Sequence, residues 1–424
     1  MIGISKLYCG AAHVSDVLRY GRRSADLPSS LLQFSSDKRP VVVWNCTQAC
    51  NLKCRHCYAM AVERVEKVEK VERVEKVERV ERVEKGERDE RVRGELSGDE
   101  ARAMIDDLAA FGCPVLLFSG GEPCLRPDLV ELMGYAKARG MRVVLSTNGT
   151  LITPELAAQF AKTGLSYVGV SIDGLEATHD RFRGGEGAFA RALAGLRNAR
   201  AAGIRVGLRM TLNRENVREL SAVFELMKRE GIDRACFYHL VYAGRGSALR
   251  TEDLGPDECR RAVRTIMDET RAWFAAGGKP EILTVDNHAD GPFVCLELRK
   301  EDPARAAEAL ELLKMNQGNS SGNGIGCISW DGEVYANQFW RHFSFGNVRR
   351  RKFSEIWSDT SGATAASALM AKLKDKRPHV KGRCASCRWL DVCGGNFRVR
   401  AEAVAGDLWA PDPACYLTDE EISR

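Results

Sequence analysis

Residues 50–58 read Cys50-Asn51-Leu52-Lys53-Cys54-Arg55-His56-Cys57-Tyr58, so three cysteines are spaced as C-x3-C-x2-C and an aromatic residue follows them. Three thiolates this close together can hold three irons of a [4Fe–4S] cluster, which normally takes four cysteine ligands. The fourth iron is then left open to a small molecule. A zinc loop is the alternative, but zinc sites usually add a second Cys pair or histidines. The triplet therefore predicts an iron–sulfur cluster with one open iron.

A regular alternation of strand and helix patterns surrounds this loop. The apolar run at 40–45 directly precedes it and predicts a strand that is buried on both faces. Alternation at this spacing indicates a parallel sheet with right-handed crossovers, and six strands predict a partial (β/α)6 barrel of the TIM type with its chemistry at the C-terminal strand ends. The predicted strands are 40–45, 114–118, 142–145, 167–171, 206–210 and 235–238, and the predicted helices between them are 99–111, 129–138, 154–163, 188–202 and 217–230.

Length and charge narrow the classes of function. The 424 residues are enough for two domains, and the formal charge of +5 is mild and suits an anionic small substrate. No basic stripe with interleaved aromatics is present, so we expect no nucleic-acid partner. No signal peptide or membrane-length apolar run is seen, so we expect a cytoplasmic protein without a membrane partner. In a reducing compartment, clusters among the fifteen cysteines are first interpreted as metal ligands.

The domain boundaries follow changes in pattern. We expect an N-terminal lead-in at 1–39, the barrel at 40–250, a connecting helical region at 251–317 and a small domain at 318–424. Residues 62–93 are a low-complexity insert of Val, Glu and Lys or Arg, in which Val recurs every third position from Val62 to Val83. Three residues advance a helix by about 300°, so these valines form no lasting apolar face. We expect a solvated or fluctuating helix in a surface loop; a partner-binding arm is the alternative.

A second group of cysteines lies near the C-terminus, spaced as Cys384-x2-Cys387-x5-Cys393-x21-Cys415. Four thiolates can complete a second [4Fe–4S] cluster, and structural zinc is the alternative. Cys327, before the hairpin signal Asp331-Gly332, is a spare candidate ligand.

Polar residues follow several of the predicted strands. Ser119-Gly120-Gly121-Glu122-Pro123 closes the second strand, where two glycines let the backbone approach a ligand and Glu122 can accept a hydrogen bond from an ammonium group. Side chains at such strand ends point at the barrel mouth. The further candidates are Ser146 and Asn148 after the third strand, Ser171 and Asp173 after the fourth, and Arg209 on the fifth.

The order of these motifs resembles the radical S-adenosylmethionine (SAM) superfamily. The resemblance implies that the amino and carboxylate groups of SAM chelate the open iron. It also implies that Gly120–Glu122 meets the SAM amino group, that Ser171 or Asp173 binds the ribose, that Arg209 binds the carboxylate and that Tyr58 packs beside the adenine. The stretches 393–396 and 412–416 resemble the tail of SPASM-like radical SAM enzymes, which implies that the C-terminal domain holds the second cluster.

Within this superfamily the chain is most similar to the NirJ/AhbC/AhbD enzymes of heme biosynthesis from siroheme. The stretches that carry the resemblance are 179–184, 242–246, 286–291, 339–342 and 393–416, and the opening at 1–35 is most similar to the members that remove acetate groups. The resemblance implies loss of two acetate side chains from 12,18-didecarboxysiroheme to give Fe-coproporphyrin III. The alternatives are replacement of propionates by oxo groups on the way to heme d1, a peptide-modifying maturase, an iron–sulfur electron carrier and a regulatory tetrapyrrole-binding protein.

The implied substrate is an anionic iron tetrapyrrole, and a ferredoxin or flavodoxin-type protein is the implied electron donor. Arginine binds carboxylates in bidentate fashion, so Arg245, Arg341, Arg398 and Arg400 are candidates for the substrate's carboxylates, with ordinary surface charge as the alternative. Four histidines are candidate ligands of the substrate iron, or else structural hydrogen-bonded residues: His56, His239, His288 and His342.

Overall fold

A computed structural model describes residues 1–16, 39–60, 62–63 and 94–423, with only the backbone at 62–63. Most of the lead-in and nearly all of the Val-Glu-Lys/Arg insert lie outside these residues. The predicted solvated helix of the insert therefore stays a prediction, and so does the division of the chain into domains.

One open sheet organises the described residues. Its strand order is β1-β10-β9-β8-β7-β6-β5-β2-β11-β12-β13, and the run from β10 to β11 is parallel throughout. A separate pair, β3 and β4, flanks the cysteine loop. The strands are β1 (Ile2–Gly3), β2 (Val41–Asn45), β3 (Ala49–Cys50), β4 (Val62–Glu63), β5 (Val115–Ser119), β6 (Arg142–Thr147), β7 (Tyr167–Ser171), β8 (Val206–Leu212), β9 (Arg234–His239), β10 (Glu281–Val285), β11 (Ile325–Ile328), β12 (Glu333–Tyr335) and β13 (Gly346–Asn347).

Helices cover the sheet, and several of them begin at clear capping signals. Ser97 and Glu100 form a capping box at the start of α2, and Thr153 caps α4 just before Pro154. The helices are α1 (Ile4–Leu7), α2 (Gly98–Ala110), α3 (Leu129–Ala138), α4 (Pro154–Lys162), α5 (Glu176–Arg183), α6 (Ala188–Ala201), α7 (Leu220–Glu230), α8 (Pro256–Ala275), α9 (Asp290–Glu301), α10 (Pro303–Asn316), α11 (Phe353–Ser358), α12 (Ala365–Lys374), α13 (Leu390–Cys393), α14 (Arg398–Ala405) and α15 (Asp419–Ile422). Among the described helices, none has the length and apolar character needed to span a membrane.

The six predicted strands form the centre of the sheet, and two further parallel strands extend it. β10 pairs with β9 at one side, and β11 pairs with β2 at the other. β11 and β12 form the predicted hairpin around Asp331-Gly332. Cys327 lies on β11, opposite Val43 of β2. It is fully buried there and accepts a hydrogen bond from Asn45 Nδ2 at 3.6 Å. Cys327 is not part of the cavity that the four C-terminal cysteines line, so its role as a spare cluster ligand stays a prediction.

A short helix that sequence patterns did not predict lies beside the cysteine loop. α5 has only eight residues, most of them polar, and a helix this short depends on its tertiary contacts for stability. It ends at Gly184 with φ +67°, where a Cβ would lie 2.8 Å from the Lys53 carbonyl oxygen. The Phe182 carbonyl also accepts from the Arg55 amide at 2.9 Å. The end of α5 is therefore fixed against the loop that carries the three cysteines.

Candidate functional site

A cavity lies at the C-terminal ends of the parallel strands, with about 1120 Å³ of empty space that is open to solvent on one side. This is where parallel α/β sheets bind their ligands. The structure brings ten of the residues predicted to bind the first cluster or SAM together in its lining: Cys50, Cys54, Cys57, Tyr58, Gly120, Gly121, Ser146, Asn148, Ser171 and Arg209.

The cysteine loop is packed tightly against the glycine segment after β5. A Cβ on Gly121 would lie 2.1 Å from the Ala49 carbonyl oxygen, and one on Gly120 would lie 2.5 Å from the Thr47 carbonyl oxygen. The amides of Gly121 and Glu122 donate to these same two carbonyls, at 2.8 and 2.7 Å. Only glycine allows this approach of two backbones, so the segment fixes the conformation of the loop.

The three thiols are suited to a cationic cluster. Burial, together with the neighbouring Cys54 and Glu122, raises the pKa of Cys50 to about 12. Burial also raises the pKa of Cys54, against the opposing charge of Arg183. Thiolates crowded in this way need a positive partner, which iron supplies when they ligate it. The donor set of three thiols on one face of the cavity therefore fits the predicted cluster.

Glu122 lies behind the cavity rather than in its lining. The side chain is fully buried, and its carboxylate accepts from Thr147 Oγ1 at 2.6 Å, the Asn148 amide at 2.8 Å and the Cys124 amide at 3.1 Å. Direct contact with the SAM ammonium thus stays a prediction. The contacts described here hold the turn after β6, which carries Asn148 into the cavity.

Asp173 is also buried behind the lining, in an ion pair that sequence analysis missed. Its Oδ2 lies 2.5 Å from Arg183 Nη2, and its Oδ1 accepts from the Thr211 amide at 2.6 Å. Burial opposes ionisation, but the charges of Arg183 and His56 outweigh it and hold the pKa of Asp173 below its usual value. Arg183 itself lines the cavity. The ribose contact of Asp173 stays a prediction, whereas Ser171 does face the cavity.

Tyr58 and Arg209 are both part of the lining, and protein groups hold each of them. The Tyr58 hydroxyl donates to Asn45 Oδ1 at 3.2 Å, and its ring packs edge-on against Phe339 at 4.9 Å between centroids. Arg209 Nε donates to the Tyr238 hydroxyl at 2.9 Å. Gly169 leaves room for this arginine, since a Cβ there would lie 2.8 Å from Arg209 Cδ.

The four C-terminal cysteines line a second, more enclosed cavity of about 400 Å³, beside Trp389 and Asn396. Burial and the other three cysteines raise the pKa of Cys393 to about 12. Four thiols around one cavity fit a [4Fe–4S] cluster, and structural zinc stays the alternative.

Two of the arginines predicted to bind substrate carboxylates are structural. Arg398 and Arg400 are fully buried. Arg398 donates to the backbone carbonyls of Leu408 and Ala410, and Arg400 forms an ion pair with Asp412. The prediction for both is wrong, because their guanidinium groups are enclosed by protein and cannot reach a ligand.

The other two arginines support the cysteine loop. Arg245 Nε donates to the Cys54 carbonyl oxygen at 2.8 Å, and Arg341 Nη1 donates to the Ala59 carbonyl oxygen at 2.6 Å. Neither side chain is part of the cavity lining. A role of Arg245 or Arg341 in substrate binding stays a prediction.

Of the four candidate histidines, His56 and His239 line the cavity, and His288 and His342 do not. His239 Nε2 lies 3.0 Å from Asp290 Oδ2; burial lowers its pKa, but the Asp290 carboxylate outweighs burial and raises it to about 10. An imidazolium has no free lone pair for iron. His56 stacks on Phe182 at 4.6 Å, and its buried Nδ1 has no hydrogen-bond partner. His56 is therefore the better-placed histidine of the two.

Asp286, at the end of β10, is a cavity residue to which sequence analysis gave no role. It has φ +66°, is 8% exposed, and its Oδ2 has no hydrogen-bond partner. Burial raises its pKa to about 6. The sequence signals for it were its position after an apolar run and its place in the stretch 286–291, which carries part of the family resemblance.

These features define a radical SAM enzyme with a further iron–sulfur centre. They are the parallel sheet with a three-cysteine loop at its C-terminal edge, the glycine segment behind that loop and the second cavity with four cysteines. Comparison with known families agrees: the radical SAM superfamily model matches residues 44–227, and the iron–sulfur cluster-binding (SPASM) domain matches residues 322–388. Such a chain binds a [4Fe–4S] cluster with SAM, and a second cluster in its SPASM domain.

Comparison with individual proteins shows which radical SAM enzymes this chain is similar to. The chain is 58% identical to Fe-coproporphyrin III synthase of Methanosarcina barkeri, over 100% of this chain and 99% of that protein. It is 38% identical to pre-heme d1 synthase of Dinoroseobacter shibae, over 90% and 87%. The structure of native anSMEcpe with bound AdoMet has the same fold, with a TM-score of 0.63, 18% identity and coverage of 89% and 93%. The chain belongs to the family of radical SAM enzymes that contains Fe-coproporphyrin III synthase and pre-heme d1 synthase.

Proposed function

We propose that this protein removes the two acetate side chains of 12,18-didecarboxysiroheme to give Fe-coproporphyrin III, in heme biosynthesis from siroheme. The observation that carries the proposal is the 58% identity along the whole chain to an enzyme named for that product. The cavity is compatible with an anionic substrate, because its lining includes the guanidinium of Arg209, while Arg183 and His239 are paired with Asp173 and Asp290.

Three cysteines, Cys50, Cys54 and Cys57, are proposed to hold the first cluster. When bound, this cluster and SAM would supply a 5′-deoxyadenosyl radical, which is chemistry that side chains cannot provide. The protein's own part is to bind and orient. The residues proposed to bind SAM are Tyr58, Gly120, Gly121, Ser146, Asn148, Ser171 and Arg209, with Glu122 and Asp173 holding that wall from behind.

Protein ligands are also proposed for the iron of the substrate and for the second cluster. His56 is proposed as the axial ligand of the substrate iron, because it keeps a ring nitrogen without a hydrogen-bond partner in the cavity wall. Cys384, Cys387, Cys393 and Cys415 are proposed to hold the second cluster. A ferredoxin or flavodoxin-type protein is proposed as the electron donor.

The test is anaerobic incubation of the reconstituted protein with 12,18-didecarboxysiroheme, SAM and dithionite, followed by mass analysis. We expect loss of two acetates from the macrocycle and formation of 5′-deoxyadenosine. The Cys54→Ala variant is the control and should form neither product. An unchanged macrocycle beside normal SAM cleavage would contradict the proposed substrate.

Replacement of propionates by oxo groups is the second candidate, favoured by the 38% identity to pre-heme d1 synthase. The same incubation separates the two, because oxo products and lost acetates differ in mass. An electron carrier or a regulatory tetrapyrrole-binding protein would form no 5′-deoxyadenosine at all.

A further inference from the structure

The buried ion pair between Arg183 and Asp173 lies directly beside one cysteine of the first cluster site. Arg183 Nη1 donates to Cys54 Sγ at 3.6 Å, while Nη2 lies 2.5 Å from Asp173 Oδ2. Arg183 is 8% exposed and Asp173 is fully buried. The guanidinium is therefore held between these two groups, and only a small part of it faces the cavity.

The position of Arg183 is set by two independent restraints. Asp173 is itself held, since its second oxygen accepts from the Thr211 amide at 2.6 Å. The end of α5 is held through Gly184, which contacts the Lys53 carbonyl, and through the hydrogen bond between the Arg55 amide and the Phe182 carbonyl. The charge of Arg183 thus keeps a fixed distance from the Cys54 sulfur.

We propose that Arg183 is a positioning residue that raises the reduction potential of the first cluster through its hydrogen bond to the Cys54 thiolate. Hydrogen bonds to cluster sulfurs and nearby charges set the potentials of iron–sulfur centres. Reduction adds one negative charge to the cluster, and a cation fixed beside a ligand sulfur in a low-dielectric site stabilises that charge. Asp173 opposes this effect, so the pair sets the potential at an intermediate value.

This inference rests on the first cluster being held by Cys50, Cys54 and Cys57, and it does not depend on the identity of the substrate. It is therefore tested without substrate. The cluster that binds SAM is recognised by the change in its EPR spectrum when SAM is added, and the second cluster in the same sample is the internal reference.

The experiment is an anaerobic redox titration of the full-length reconstituted protein, followed by EPR, for wild type, Arg183→Met, Arg183→Lys and Asp173→Asn. We expect Arg183→Met to shift the potential of the first cluster to a more negative value. Arg183→Lys should give a smaller shift in the same direction, since one ammonium group cannot make both contacts. Asp173→Asn should shift the potential to a more positive value, because it removes the opposing charge and keeps an oxygen for Thr211. The second cluster should not shift.

Three results would overturn the proposal. The first is an unchanged potential in Arg183→Met with iron and sulfide contents equal to wild type. The second is a shift of both clusters together, which would indicate a general structural effect. The third is weaker SAM binding without a shift in potential, which would make Arg183 a ligand contact. If Arg183→Met does not hold its first cluster, the test uses Arg183→Lys and Asp173→Asn instead. The potentials of their first clusters must then shift in opposite directions, and any other result overturns the proposal.

Discussion

Arg400 and Asp412 form an ion pair at 2.9 Å in which neither side chain has any exposed surface. Arg400 also donates to the backbone carbonyls of Leu240 at 2.8 Å and Asp286 at 2.7 Å. Leu240 and Asp286 both line the large cavity, whereas Asp412 lies three residues before Cys415. One buried pair therefore joins the cavity wall to the region that holds the second group of cysteines.

Replacing Arg400 by Met should destabilise the fold by about 3–5 kcal/mol, because it leaves the Asp412 carboxylate buried without its partner. Denaturant unfolding of the reconstituted protein under anaerobic conditions measures this difference. Arg351→Met is the matched control, since Arg351 pairs with Asp359 at the surface and should matter little. Unchanged stability together with weaker substrate binding would instead favour a carboxylate-binding role for Arg400.

Replacing Cys54 by Ala should abolish the first cluster and leave the second. Iron and sulfide should fall to roughly half of the wild-type content, as expected when one of two [4Fe–4S] clusters is lost. The EPR change on addition of SAM should disappear with it. Cys113→Ala is the control, because Cys113 is buried in the core away from both cavities and should keep full iron content. Full iron content in Cys54→Ala would contradict the assignment.

Replacing Cys393 by Ala should remove the second cluster while SAM still perturbs the EPR spectrum of the first. The reason is that the two groups of cysteines line separate cavities. Iron analysis and EPR on the same sample measure both effects. The structural zinc alternative makes a different prediction, namely loss of zinc from the variant with no change in iron.

Replacing Gly121 by Ala should prevent proper assembly of the first cluster site. The new methyl group would lie 2.1 Å from the Ala49 carbonyl oxygen, so the glycine segment and the cysteine loop would have to separate. We expect reduced iron content and loss of SAM cleavage. Gly140→Ala is the control, because a Cβ there meets nothing within 4 Å; its φ of +82° should cost only about 1 kcal/mol. Wild-type iron content in Gly121→Ala would contradict the close approach.

Replacing Asp286 by Asn should stabilise the protein more at pH 7 than at pH 5. The pKa of Asp286 is raised to about 6, so the folded state binds its proton more tightly than the unfolded state does. Wild-type stability is therefore lost as pH rises from the ordinary value of about 3.9 through about 6. The full effect is about 3 kcal/mol, since one pKa unit corresponds to about 1.4 kcal/mol.

Unfolding measured from pH 5 to pH 8 tests this prediction. Asparagine tolerates the left-handed backbone at this position, so the substitution adds little strain. Asp391→Asn, at an exposed position, is the control and should show no such trend. A variant whose stability follows the same pH profile as wild type would contradict the raised pKa.

The sequence by itself determined the chemistry of the centres and the central part of the fold. The three cysteines of the first site lie within a few residues of one another in the sequence. Their thiols must therefore lie close together on one loop, whatever the rest of the chain does. Strand and helix periods are likewise local, so the six central strands and the edge at which polar residues meet could be predicted. Ten of the residues predicted to bind the first cluster or SAM accordingly line one cavity.

Only the tertiary structure decided which charged side chains face that cavity. In the sequence, Arg398 and Arg400 cannot be distinguished from arginines that bind a substrate. In the structure, both are buried and donate their hydrogen bonds to protein groups. Arg183 reaches Cys54 across 129 residues of sequence, and Asp286 enters the cavity because β10 pairs with β9. Burial and ion pairing depend on contacts between distant segments, and no local pattern in the chain encodes them.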